Sequence, residues 1–390
     1  MTDLARRIES TLWRHRIGVL WVAFVVFVIT LFYRVATEEM PYPIGELLIS
    51  YHGGLVRRGL SGTIVLGLRD TVGGPDVFWA VVLALAASTV LWLLVQRLYR
   101  LLPHDPALLP LVLGPAGLLF MVYDNHSSFR KESFGFIALL LVLHAVLTAA
   151  RGQRRRMAWA GAVVFLVSLP MHEALILLWP ALALGLSLMP REDRGLAWGL
   201  GTLTACGGAL IVVILGAQPT PDPAALCAAA RLNHCPYPFR FLAFDFRESL
   251  SYLRDRRSGG EARHYLLLAL LSVLPLAGVR FGSSAWGRLV PLVPVVAVLP
   301  LFPVGLDWGR WIHLGVFPAS LVALAAVLRG RASHRRVLPP WLMIAYVGSW
   351  SIPHYAVTQY TRALWIWPVL GMLWLAHRAR TAWAARKSAG

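Results

Sequence analysis

Charged residues are scarce in this chain: Asp, Glu, Lys and Arg make up only 14% of its 390 residues. A soluble domain carries about 25%. With 57% of residues hydrophobic, the shortfall excludes a water-facing globular surface and makes the lipid bilayer the solvent that sets the architecture. Acidic residues are the scarcer sign, 19 against 37 Lys and Arg, for a formal charge of +18. Cysteine is nearly absent, at three residues. Familiar reaction motifs are missing as well: no P-loop, no dinucleotide-binding glycine pattern, no serine-hydrolase elbow and no HExxH pair. Nucleotide-driven chemistry is therefore unsupported, and no cofactor or metal is expected. No internal repeat or low-complexity segment stands out.

What is present is a succession of apolar segments. Twelve are expected to span: Ile17–Val35, Val77–Val95, Ala107–Tyr123, Ser133–Ala150, Met157–Leu169, Ala174–Met189, Leu196–Gly216, Tyr265–Val279, Leu289–Val304, Ile312–Leu328, Leu338–His354 and Ala363–His377. Several fall short of the ~20 residues that a bilayer asks for. Pro170 interrupts a nearly continuous apolar stretch, so the fifth and sixth form either a broken helix or a tight hairpin. The first run follows Arg6, Arg7, Arg14 and Arg16 but is longer than a signal-peptide core and lacks a small-x-small cleavage site, so it reads as a retained helix. The expected fold is an all-α polytopic membrane protein of about 12 transmembrane helices, residues 1–390 forming a single membrane domain.

Basic residues set the expected orientation. With both termini cytoplasmic, the inner segments carry 22 of the 37 Lys and Arg and 5 of the 19 carboxylates, leaving net charges of +17 inside and +1 outside. The clusters Arg151–Arg156, Arg329–Arg336 and the tail around Arg378, Arg380, Arg386 and Lys387 thus read as topogenic anchors against anionic lipid. No nucleic-acid partner is expected. Two outer loops are long. Residues 36–76 hold Glu38, Glu39, Glu46 and a short apolar run, Leu60 to Leu68, that suggests a re-entrant or interfacial piece. Residues 217–264 hold Cys227 and Cys235, which form a disulfide or remain two thiols. Cys206 lies within a span and reads as packing.

The chemistry gathers on the outer side. The stretch YHGGLVRRGLSG, Tyr51 to Gly62, places His52, Arg57 and Arg58 among glycines just before an apolar run. Paired arginines at a membrane boundary are costly unless an anion compensates them, and the guanidinium fork suits phosphate. Four further clusters follow: Asp124, His126, Arg130, Lys131 and Glu132; His172 and Glu173 in PMHEA; Asp307 and Arg310 in GLDWGRW; and His354 through Arg362. Plainer readings stand beside these. Arg130, Lys131 and Arg362 suit interfacial snorkelling, Trp308 and Trp311 suit an aromatic belt, and Asp307 with Arg310 suits a helix-start ion pair. His172 and Glu173 resist such an account, because a carboxylate inside an apolar stretch is expensive without a partner.

The inventory matches transfer from a lipid-linked phosphate donor. His52, Arg57, Arg58, Asp124, His126, Arg130, Lys131, Arg310, His354 and Arg362 are the expected phosphate- and substrate-binding residues. Glu173, His172, Asp307 and Glu46 are the expected acid–base groups. Opposed influences, burial against nearby arginine, are expected to leave Glu173 able to exchange a proton near neutral pH. The set HGGLVRRG, FRKES, MHEA and DWGRW, on a chain of this topology, resembles O-antigen and capsule polymerases and, more broadly, the GT-C glycosyltransferases. That resemblance implies a polyprenyl-phosphate or -pyrophosphate sugar donor, an acceptor glycan, polysaccharide-assembly partners and a site at the periplasmic face of a bacterial inner membrane. It also implies a catalytic acid from the first outer loop, for which Glu38, Glu39 and Glu46 are the candidates. Glu38 and Glu39 are adjacent, so the loop lacks the spaced DxD pair of GT-C enzymes. The rival reading is a transporter or flippase of lipid-linked glycans. A structural envelope subunit is the third, and it leaves the clusters unexplained.

Overall fold

The computed structural model describes residues 2–38, 41–124, 130–218, 222–232, 235, 237–242, 248, 251, 259–303, 305, 307–348 and 351–352. The expected span Ala363–His377 and the site candidates His126, His354 and Arg362 lie outside these residues, as does Glu39. The fold is mostly helical. Among the described residues, four helices are long and apolar enough to cross a membrane, within 3–37, 76–100, 191–216 and 308–328. Three of them turn large apolar side chains outward, including Val22, Ile29, Phe78, Leu93, Leu210 and Val213. Water would penalise that surface at about 25 cal/mol per Å², whereas lipid does not.

The other expected spans are shorter or broken, and proline and glycine explain most of the breaks. Residues 106–123 divide into a 3-10 turn, the short helices Leu109–Leu113 and Phe120–Tyr123, and an irregular link through Gly114, Pro115 and Gly117. Residues 285–301 run as 3-10 turns around the five-residue helix Val293–Ala297, with Pro291, Pro294 and Pro300 interrupting the ladder. The expected Met157–Leu169 segment is a helix that starts earlier, Arg151–Ser168, and so includes the basic cluster. The Leu60–Leu68 run belongs to a 13-residue helix, Leu60–Val72. At 1.5 Å per residue this is roughly 20 Å long, short of a ~30 Å hydrocarbon core.

Two helices form the centre. Glu132–Leu147 packs against Asp76–Arg100, Arg151–Ser168, Trp179–Ser187 and Trp308–Leu328, and the last of these is buried along nearly its whole length. Gly161 permits the closest of these contacts. A Cβ there would lie 2.8 Å from the Ala138 carbonyl oxygen and 2.7 Å from Val142, so a small residue sets the helix spacing. Two short strands, Val279–Phe281 and Ala332–His334, pair antiparallel at the end of the bundle where Trp308–Leu328 finishes. Cys227 and Cys235 form a disulfide, with Cα atoms 5.5 Å apart.

Candidate functional site

Three helical segments begin at the same place, and their starts carry most of the chemistry. Glu132 opens the Glu132–Leu147 helix, Asp307 precedes Trp308–Leu328, and Glu173 opens the 3-10 turn Glu173–Leu178. Carboxylates at such starts meet the unpaired N–H groups and positive dipole end of each segment. The apolar stretch breaks after Ser168, and His172 is extended, at φ −160° and ψ 107°. That break lets His172 and Glu173 both face the cluster, which neighbours on an unbroken helix, about 100° apart, cannot do.

The opening motif supplies the fourth wall. Arg58 sits in the left-handed region at φ 65°, a conformation that costs a non-glycine residue about 1 kcal/mol or more. The loop around it is held by close approaches. A Cβ on Gly59 would strike the Tyr51 ring at 2.2 Å, and one on Gly62 the Ile49 carbonyl oxygen at 2.2 Å. The Leu60 N–H donates to the Pro170 carbonyl at 3.4 Å, setting this loop against the break that carries His172.

Arg58 grips Glu173 with two nitrogens, Nη2 at 3.0 Å from Oε1 and Nε at 3.1 Å from Oε2, and reaches Glu46 Oε1 with Nη1 at 3.3 Å. Arg130 lies 4.0 Å from Glu46 and 3.9 Å from Asp307, with its guanidinium 4.7 Å from the Tyr42 ring centre. Arg310 donates to Glu132, to Asp307 at 3.0 Å and to His172 Nε2 at 2.8 Å. Lys131 is completely buried and donates to the Arg58 carbonyl oxygen at 2.9 Å. Five stretches of sequence thus form one interlocked set of four carboxylates, three arginines, one lysine and one histidine.

The protonation states follow from these contacts. Arg310 can only donate, so His172 Nε2 carries the lone pair and the ring proton sits on Nδ1. That proton faces Glu173 Oε2, 3.9 Å away, and the approach of the Ala174 N–H to Nδ1 at 3.3 Å is then not a hydrogen bond. Burial, reinforced by Arg58 and Arg310, pushes His172 well below its ordinary range, so the ring is neutral at pH 7. Burial would raise Glu46, but Arg130, Arg310, Lys131 and Arg58 outweigh it and hold the carboxyl down. Glu173 is likewise pushed up by burial, yet the charge and hydrogen bonds of Arg58 hold it down to about 2. This corrects the expectation of a Glu173 poised near neutrality: its grip by Arg58 is tighter than spacing in sequence reveals. Lys131 moves the other way, lowered by burial to about 7 despite Glu46, Glu173 and Glu132 nearby.

Eight sequence-expected residues come together here: Glu46, Arg58, Arg130, Lys131, His172, Glu173, Asp307 and Arg310. Others stand apart. His52 is exposed, on the side of the loop that faces Asp70. Arg57 is half-buried and acts on Glu173 through its field. Asp124 is buried beside Tyr123 and His313. Two members escaped sequence reasoning as site residues. Glu132, within FRKES, binds Arg310, and Tyr42 faces Arg130; the signal for Tyr42 was its position one helical turn before Glu46.

Of the arginines expected to await phosphate, Arg58, Arg130 and Arg310 are each matched to carboxylates. A small cavity lined by Arg130, Glu132, Ser133, Arg310 and His313 adjoins the cluster and has room for about one water. The Ser133 Oγ, one Glu132 oxygen and His313 Nε2 around it have no hydrogen-bond partner among the described residues. No group of His, Cys, Asp and Glu arranged to hold a metal occurs among the described residues. Compared with known proteins, the chain matches no family model, no curated protein and no solved structure.

Proposed function

We propose that this protein is a membrane glycosyltransferase or glycan polymerase, taking sugar from a polyprenyl-phosphate- or polyprenyl-pyrophosphate-linked donor. The observation that carries the reading is the convergence of five separated ionisable stretches into one buried cluster at breaks in apolar segments. Charges placed so are expensive, and membrane proteins keep them chiefly for function. The reading keeps about twelve spans, and on that map the positive-inside imbalance supports both termini cytoplasmic and a cluster at the periplasmic face of a bacterial inner membrane.

In this reading the lipid donor enters sideways between helices, and its phosphate draws Arg58, Arg130 and Arg310 toward itself. The acceptor hydroxyl attacks the anomeric carbon, the carbon–oxygen bond to phosphate breaks, and the electron pair leaves on the phosphate oxygen. A carboxylate takes the hydroxyl proton. Glu173 is a weak base while Arg58 grips it, and a donor phosphate that engages Arg58 releases it for that role. Asp307, the most exposed of the four carboxylates, is the alternative, and Glu46 the next. The acceptor is a glycan, and polysaccharide-assembly proteins are the natural partners. Glu173→Gln keeps the shape and removes the charge. Loss of glycan product in cells with normal protein levels is the expected result; near-normal product moves the base to Asp307 or Glu46.

One observation favours a second reading. Broken helices whose starts point at a common polar site are the pattern of transporters, here a flippase of lipid-linked glycans. Reconstituted vesicles separate the two: transfer changes the lipid-linked product chemically, whereas flipping changes only its leaflet.

A further inference from the structure

Of the chain's 37 basic residues only two, Lys131 and Lys387, are lysines. One of them occupies the most enclosed position of the cluster, with no accessible surface. Its ion-pairing also differs from that of its neighbours. Arg58, Arg130 and Arg310 each lie within 4.0 Å of at least one carboxylate. Lys131 has no carboxylate that close among the described residues, and its amine meets one neutral oxygen, the Arg58 carbonyl. A buried ammonium there would leave a full charge and two N–H groups unmatched, whereas a neutral amine leaves no charge and only one N–H. Arginine cannot lose its proton in a protein, and lysine can.

Charge balance gives a neutral Lys131 a use. With Lys131 neutral, the three arginines in contact range face four carboxylates, so the ion-paired set alone carries one excess negative charge, which the half-buried Arg57 offsets only in part, through its field on Glu173. An incoming anion would be repelled. With Lys131 protonated, the cluster is balanced, and each guanidinium that turns to the ligand leaves the carboxylates a cation to lean on. Every packed element contributes to this field: Glu46 from the Tyr42–Leu47 helix, Arg58 and Arg57 from the loop, Arg130 and Glu132 on either side of the lysine, His172 and Glu173 from the break, and Asp307 with Arg310 from the last central helix. The Arg58 loop that would swing toward a ligand is also the one whose carbonyl holds the amine.

We propose that Lys131 is the switchable charge of this site, neutral when the cluster is closed and protonated when a phosphate group enters, so that anion binding takes up a proton. The proposal rests on the lipid-phosphate reading above and names how that ligand is admitted. A neutral lipid alcohol brings no charge and leaves Lys131 unprotonated, so the switch selects for phosphate.

Two lysines make the test direct. The full-length protein, labelled with 13C at lysine Cε, shows two lysine resonances in detergent micelles, assigned with Lys387→Arg. In the free protein Lys131 is expected to titrate near neutral pH, far below Lys387. Saturation with undecaprenyl phosphate, followed through its 31P signal, is expected to raise the Lys131 midpoint by more than one pH unit, a tenfold change or greater in proton affinity. Undecaprenol is expected to leave it unmoved. A Lys131 that stays charged up to pH 9 in the free protein overturns the proposal. Bound phosphate with an unmoved Lys131 midpoint also overturns it and leaves the lipid-phosphate reading standing. Absence of any 31P change at every pH overturns that reading, and the proposal with it.

Discussion

Two arginine–carboxylate networks sit at opposite ends of the same helices, and they are built on different plans. At one end Asp193, fully buried, accepts from Arg154 at 2.6 Å, Arg155 at 2.9 Å and Arg151 at 3.4 Å, while Arg154 also binds Glu192 at 2.7 Å. Only two short stretches contribute, residues 151–155 and 192–193. Two of its arginines are about half exposed. At the other end the cluster around Arg58 and Arg310 draws on five stretches and buries six of its nine members, with Arg58, Glu173 and Asp307 half-buried. Asp193 also supplies the anion that the start of the Arg151–Ser168 helix needs, crowded as it is with arginines. Its network is therefore a clasp that joins two helix ends, with three arginines against two carboxylates. Counting arginines would rank the two networks alike. Counting independent segments and buried cations separates them.

The largest effect expected from breaking that contrast is at Arg310. Arg310→Met leaves Glu132 buried without its partner and should destabilise the fold by about 3–5 kcal/mol, the usual consequence of breaking a buried pair. Chemical denaturation in detergent micelles measures it. Arg154→Ala should cost less, about 2 kcal/mol, because Asp193 keeps Arg155 and Arg151 as partners. If Arg154 proves the costlier loss, the clasp is the stronger network and the contrast fails.

The identities of the site residues were largely legible in the sequence, and their state was not. Arg58, Glu173 and Arg310 stood out because charge is so rare in this chain. Their mutual pairing did not, since Arg58 and Glu173 are 115 positions apart and nothing in one sequence reports long-range contact. Glu132 was named with Arg130 and Lys131 but given no role, although a helix start is where a carboxylate is most at home. The four long apolar helices were legible from hydropathy alone. The broken stretches 106–123 and 285–301 were not, because a window of apolar residues reads the same whether proline and glycine bend it into turns or leave it straight.

A pH dependence sharpens the comparison at smaller amplitude. Lys131 has a folded pKa of about 7 and an ordinary unfolded value near 10.4. Between these values the unfolded chain holds the extra proton, so stability should rise with pH across that window, by at most about 1.4 kcal/mol per unit. Lys131→Met should flatten the rise, and nothing in the Asp193 network should reproduce it. Smaller still, Arg155→Ala removes a half-exposed partner of Asp193 and should cost less than about 1 kcal/mol.

The most direct test of the central claim sets the two networks against each other for one ligand. Affinity for undecaprenyl phosphate is measured on the wild type, on Arg58→Lys with Arg130→Lys, and on Arg151→Lys with Arg155→Lys. Lysine keeps the charge and loses the fork. The account predicts a tenfold or greater loss for the first pair, with the second pair binding as the wild type does. Equal loss in both pairs, or loss confined to the second, would contradict it.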